Sequence, residues 1–229
     1  MSYPKVLSED ATLDLLLSGH SIARYGDGEF RLMVGRDRPG QPYDETLARR
    51  LREILTEGKG LLVGIPNLVG PALPPTKAAF WQKYREFWVT KHLAPMRQYV
   101  SSFITRPDSA PWINRPDYWA KVRQLWAGKD VTLVRGDGAK SLMAHRMPEA
   151  KSVREVIGPR IGAWAARKRL MDEIGTPDHP VILCLGLAAT AMAADLCAKG
   201  VHAMDLGHIG MFLKGVRADD RWHPKGEGR

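Results

Sequence analysis

Four short apolar runs constrain this chain more than anything else in it. They are LLVGIP from Leu61, DVTLV from Asp130, VILCL from Val181 and VHAMDL from Val201. A strand with one wet face alternates apolar and polar residues. A continuous apolar run of four to six residues is what a strand needs when both of its faces are covered. Between these runs lie segments with apolar residues at helical spacing. Repeated strand–helix alternation of this kind implies a parallel sheet with helices packed against it.

A pass along the chain fills in the order. Residues 9–18, EDATLDLLLS, read as a first helix ending near Gly19, and Ser21–Tyr25 as a strand leading into Gly26-Asp-Gly-Glu29. In DETLARRLREILTEG, Leu47, Leu51, Ile54 and Leu55 recur at helical spacing, with Asp44 suited to the N-cap and Gly58 to the C-cap. Residues 77–93 carry Phe80, Trp81, Tyr84, Phe87 and Trp88, an aromatic stripe that reads as core packing or as a cover over a cleft. SSFIT at 101–105 resembles a strand, and Arg115-Pro-Asp-Tyr-Trp119 opens a helix that ends by Gly128. Asp130–Val134 is a strand running into an Arg135-Gly-Asp-Gly138 turn, and Ser152–Ile157 a further short strand. Ala163–Ile174 is a helix stopped by Gly175. Val181–Leu185 leads through Gly186 into the Ala-rich helix LAATAMAADLCAKG, and Val201–Leu206 is the last strand. The predicted architecture is a single Rossmann-like α/β domain over residues 1–214, its mostly parallel sheet flanked by helices, with a mobile basic tail at 215–229.

The 229 residues are 44% hydrophobic and 26% charged, the balance of a soluble globular domain that can bury a substantial core. No apolar stretch is long enough to span a bilayer, and MSYPKVLSED lacks the basic and apolar regions of a signal peptide. Cys184 and Cys197 sit in apolar surroundings away from any metal-ligand spacing, so they read as buried thiols. A cytoplasmic location is the expectation. A net charge of +9 favours polyanionic partners: phosphorylated small molecules, anionic lipid headgroups in peripheral contact, or nucleic acid. The Lys and Arg residues are dispersed and the aromatics fit no RNA-binding signature, so no specific nucleic-acid partner is expected. The plainest account of the charge is a solvated basic surface. The sequence leaves the oligomeric state open.

Three polar clusters follow predicted strands: Gly26-Asp-Gly-Glu29, Arg135-Gly-Asp-Gly138 and Asp205-Leu-Gly-His208. A parallel sheet brings them to one edge, where such sheets bind ligands. Gly26 and Gly28 permit close backbone approach. Asp27 and Glu29 can face one hard cation, leaving positions for phosphate oxygens, and Arg24 offers a guanidinium fork suited to phosphate. Alternatively, Asp27 caps a following helix and Glu29 sits in its first turn. The Gly136-x-Gly138 turn is either structural or a cradle of N–H groups for a phosphate, with Arg135 beside it or in a surface ion pair. Asp205 with His208 pairs a strand-end carboxylate with an imidazole. The other histidines show no spacing that would hold zinc.

RYGDGEF, DETLARRLREIL, LLVGIPN and ILCLGLAATAMAADLCAKGVHAMDLGHI, in that order, resemble the GT-D glycosyltransferases, a bacterial group of Rossmann-like, metal-dependent sugar transferases. The resemblance runs from about Ser21 to Ile209. It implies an Asp-x-Glu motif at Asp27 and Glu29 that holds manganese or magnesium against a nucleotide-sugar donor. It further implies a UDP-sugar as the donor and a glycan or glycoconjugate as the acceptor. Arg24, Gly26, Gly28, Arg135, Gly136 and Gly138 are the expected donor contacts, with Asp205 and His208 as catalytic groups. Three stretches depart from the family pattern. Gly186-Leu-Ala-Ala-Thr190 stands where relatives often have Gly-Pro-Thr-Ala, Gly162 replaces an expected asparagine, and Gly210-Met-Phe-Leu213 follows His208-Ile209 where many relatives keep acids. They motivate an alternative of another class: a nucleotide- or polyanion-binding protein that keeps the fold without catalysis. A methyltransferase or dehydrogenase is a third reading, and the absence of a complete Gly-x-Gly-x-x-Gly after the first strand counts against the dehydrogenase.

Overall fold

The computed structural model describes residues 3–56, 60–69, 71–82, 92–94, 97–138 and 142–213. Seven strands form one sheet: β1 (Ser21–Arg24), β2 (Leu61–Ile65), β3 (Val100–Ser101), β4 (Asp130–Gly136), β5 (Ser152–Gly158), β6 (Val181–Cys184) and β7 (Ala203–Asp205). Their order is β3-β2-β1-β7-β6-β4-β5, and every pairing is parallel. Every residue of β1, β6 and β7 is buried, so both faces of the central sheet are covered. That is why β6 appears in the sequence as an unbroken apolar run, while β1 and β7 turn polar at their carboxyl ends, at Arg24 and Asp205. At the edge, β5 alternates exposed and covered residues and carries Arg154 and Glu155, charges that suit an edge strand.

The Ala-rich helix Leu187–Ala198 lies directly on β1 and β7. Its alanines are good helix formers, and all seven residues from Ala188 to Ala194, five of them alanine, are buried. Helix Glu45–Thr56 packs on it through Leu47, Leu51, Ile54 and Leu55, and Asp44 Oδ1 accepts from Thr46 N (2.8 Å) and Leu47 N (3.0 Å) as the N-cap. Helix Glu9–Leu17 packs against β3 and against helix Pro116–Arg123. Beside the latter, Tyr118, Trp119 and Trp126 are among the largest fully buried side chains.

Some expected boundaries shift. SSFIT is strand only at Ser101. Ser102 N still bonds Ile65 O (2.9 Å), but the chain then turns, and Phe103 and Ile104 are buried by that turn rather than by pairing. Arg135 and Gly136 belong to β4 and pair with Ile157 and Gly158, so the predicted turn begins only at Asp137. The 163–174 segment is a 3-10 turn, Ala163–Ala166, followed by an α-helix, Arg167–Ile174. The aromatic segment is helical over 75–82. Gly58, Tyr84, Phe87, Trp88 and the 215–229 tail lie outside the described residues. Both cysteines are free thiols, and burial pushes the Cys184 thiol up to about 12. Among the described residues no helix is long and apolar enough to cross a membrane.

Candidate active site

A cleft of about 350 Å³ collects residues that follow β1, β3, β6 and β7, together with Lys77, Phe80 and Trp81 from the 75–82 helix. It lies beyond the carboxyl ends of the strands, as a parallel sheet requires. Six residues singled out in the sequence around the first and third clusters meet there: Gly26, Asp27, Gly28, Glu29, Asp205 and His208, with Arg24 at the base. Arg135, Gly136 and Gly138 are not among the described residues that line it. Arg135 instead makes a two-pronged bond to Glu155 on β5 (3.0 and 2.9 Å).

The acidic motif opens a short helix, Asp27–Met33, with Gly26 as N-cap. Glu29 reaches back, and its Oε2 accepts from Gly26 N at 2.7 Å. A Cβ on Gly28 would press on Leu187 of the Ala-rich helix at 3.2 Å, so glycine there lets the two helices approach. Asp27 is partly exposed, and its Oδ2 lies 3.6 Å from Arg38 Nη2. Glu29 is buried, and burial, reinforced by the charge of Asp205 and opposed by the Gly26 N–H, raises its carboxyl to about 7. The first-turn reading of Glu29 therefore holds, and the N-cap is Gly26 rather than Asp27.

Asp205 ends β7 only 3% exposed. Its Oδ1 accepts from Gly207 N (3.0 Å), and its Oδ2 accepts from Arg24 N (3.3 Å) and faces Thr190 Oγ1 (3.1 Å). Burial raises its pKa, against the pull of Arg24. His208 is exposed at the cleft. Gly207 has φ +53°, and a Cβ there would collide with Arg24 Nη2, so this position requires glycine twice over.

Arg24 is 8% exposed and largely committed beneath the cleft. Its Nη1 donates to Ser102 O (3.0 Å) and Thr105 Oγ1 (2.8 Å), while Nε stands 3.9 Å from Asp205 Oδ1. It fastens the loop after β3 to the ends of β1 and β7. Burial lowers its pKa. Thr190, which the sequence reading did not single out as a site residue, joins the same network. Its Oγ1 is 2.9 Å from Arg24 O, 3.1 Å from Asp205 Oδ2 and 3.4 Å from Glu29 Oε1. Arg38, Lys77 and Arg106 also line the cleft and were missed. A buried Thr inside an alanine run was the only local signal for Thr190. The cations had none, because their position depends on contacts distant in sequence.

The donor set can be tested against a divalent cation. Among the described residues no group of three or more His, Cys, Asp and Glu could hold a metal by itself. Asp27 and Glu29 both face the cleft, and two carboxylates are what a magnesium-type ion takes when substrate phosphates complete its shell. The residues thus fit an ion shared with a phosphorylated ligand, not an all-protein cage.

A seven-stranded, all-parallel α/β sheet with a cleft of mixed charge beyond its carboxyl edge defines a Rossmann-like ligand-binding domain. This one belongs to the glycosyltransferase GT-D fold family, whose model matches residues 22–218. The chain is similar to a probable glycosyl transferase, Gly, of Streptococcus gordonii, at 33% identity over 89% of this chain and 32% of that protein. It is also similar to glycosyltransferase GlyD of Streptococcus pneumoniae serotype 4, at 29% identity over 87% of this chain and 26% of that protein. It therefore spans about a third or less of these relatives' length. Among solved structures, a domain-of-unknown-function-1792 protein described as having a distinct glycosyltransferase fold superposes with a TM-score of 0.79 at 30% identity, covering 91% of this chain and 79% of that one. A DUF1792 glycosyltransferase from Streptococcus sanguinis gives 0.76 at 27% identity, covering 90% and 82%.

Proposed function

We propose that this chain transfers a hexose from a nucleotide-diphosphate sugar, a UDP-sugar, to a glycan or glycoconjugate acceptor with the help of manganese or magnesium. The observation that carries this reading is the meeting of Asp27, Glu29 and His208 with Lys77 and Arg106 in one cleft of a GT-D fold. Departure of a nucleoside diphosphate concentrates negative charge on the leaving oxygens, and positive charge already fixed in a cleft stabilises it without reorganisation. Asp27 and Glu29 would hold the cation, which supplies charge neutralisation at the diphosphate when bound. His208, exposed at the cleft, is the group that takes the acceptor hydroxyl proton. Asp205, buried with both oxygens engaged, keeps the ends of β1 and β7 in register beneath it.

Calorimetry of UDP with manganese tests the reading. Asp27→Asn and Glu29→Gln are each expected to weaken UDP–manganese binding by tenfold or more, at an unchanged melting temperature for Asp27→Asn. If both variants bind as tightly as the parent, the two acids do not hold the ion.

A further inference from the structure

The cleft has a second charged wall that its acidic motif does not explain. Arg106, on the loop after β3, presents Nε and Nη2 to the two oxygens of Asp108, each at 2.8 Å. Lys77, on the 75–82 helix, donates from Nζ to Asp108 Oδ2 at 2.7 Å. Both cations line the cleft, whereas Asp108 is not among the described residues that do. One carboxylate thus stands behind two cations, and the trio carries a net positive charge. The guanidinium is fixed on two sides: its edge is locked on Asp108, and its carbon lies 5.7 Å from the centroid of the Phe212 ring. Nη1 keeps its hydrogens without a partner among the described residues, and the Lys77 ammonium has two further donors. The loop carrying Arg106 is itself anchored, since Arg24 Nη1 holds Ser102 O and Thr105 Oγ1, and Thr105 Oγ1 in turn donates to Leu206 O at 3.2 Å.

On this basis we propose that Arg106 and Lys77 form the anion-binding subsite of the cleft, taking the diphosphate of the donor, and that Asp108 is a positioning residue that aims both. The assignment rests on the glycosyltransferase reading for the identity of the ligand, but the subsite itself requires only a diphosphate. A rigid planar fork beside a compact ammonium offers donors in several directions, the recognition that phosphate oxygens favour. Arg24, the cation adjacent to the acidic motif in sequence, is instead the loop's anchor. Burial would raise the Asp108 carboxyl, but the hydrogen bonds and charges of Arg106 and Lys77 together outweigh it and hold the group down to about 2, so the tether stays ionised throughout the physiological range.

Inorganic pyrophosphate, titrated into the full chain with EDTA present, separates this wall from any metal. The parent is expected to bind it, with affinity falling as salt rises. Arg106→Ala and Lys77→Ala should each weaken that binding about tenfold or more. Asp27→Asn should not weaken it, although the same variant loses manganese-dependent UDP binding. Asp108→Asn should weaken pyrophosphate binding while both cations remain present, and Asp108→Glu should recover part of it. Should Arg106→Ala melt early, Arg106→Lys, which keeps the charge but not the fork, must still bind more weakly than the parent. The proposal is overturned if the parent binds no pyrophosphate without metal, or if folded Arg106 and Lys77 variants bind it as tightly as the parent. Loss of the manganese effect alone would overturn the metal assignment and leave this wall standing.

Discussion

At Glu29 two requirements act against each other. The side chain is needed as an acceptor for the Gly26 N–H at the start of its helix, yet it is buried beside the charge of Asp205. The outcome is a carboxyl raised from its ordinary 4.5 to about 7. An acid bound more tightly to its proton in the folded state favours folding at low pH, and that advantage is lost as the pH climbs. The contribution is present below pH 4.5 and gone above about 7, and is worth at most about 3 kcal/mol. Glu29→Gln keeps an oxygen for Gly26 and removes the buried charge. It is expected to match the parent near pH 4.5 and to exceed it at pH 8 by about 1–3 kcal/mol in urea denaturation. Parallel stability curves for the two proteins across that range would show that Glu29 is not the group under strain. Asp27, two residues earlier, faces the cleft from an open position, so the two acids of one short motif have different environments and different chemistry.

Among the elements, the first helix is tied to the β3 edge by Thr12, whose Oγ1 accepts from Ser101 N (3.0 Å), and above all by Glu9. Glu9 is 1% exposed, and it accepts from Ser101 Oγ (2.6 Å), Asn67 Nδ2 (3.3 Å) and Trp112 Nε1 (2.7 Å), three donors from three separate segments. Glu9→Ala strands them together, and a cost of about 3 kcal/mol or more is expected on chemical denaturation. A loss under 1 kcal/mol would mean that water replaces the carboxylate and that the edge is not fastened here. This tie also marks the limit of what the chain discloses in one dimension. β2, β4, β6 and β7 were legible because cover on both faces leaves short, largely apolar runs, and β1 was legible as the segment leading into Gly26-Asp-Gly-Glu29. β3 was misread because Phe103 and Ile104 are apolar for another reason, a turn packed into the core. Asp27, Glu29, Asp205 and His208 were legible because strand ends converge in any parallel sheet. Arg106, Lys77 and Thr190 were not, since each is placed by partners that no local pattern announces.

For the whole molecule, the arrangement of charge sets the experiment that separates the two remaining classes of function. A net charge of +9 would draw any polyanion to the surface. The cleft is more selective, because it interleaves Asp27 and Glu29 with Arg38, Lys77 and Arg106. A featureless polyanion would gain from the cations and lose against the acids. A diphosphate that brings a divalent ion gains from both, the ion meeting the acids and the phosphates meeting the cations. Binding to the folded state alone stabilises it by about 2.7 kcal/mol at a hundredfold excess over Kd. For a chain of 229 residues this corresponds to a rise in melting temperature of about 5–10 °C. UDP and manganese together are therefore expected to raise the melting temperature by about that much, UDP alone by less, and manganese alone least of all. Asp27→Asn should abolish the increment that manganese adds. DNA should bind weakly and lose that binding steeply as salt rises, with no dependence on the ion. If DNA instead stabilises the chain more than UDP–manganese does, the alternating charge of the cleft is incidental and the protein is a polyanion binder on a glycosyltransferase fold.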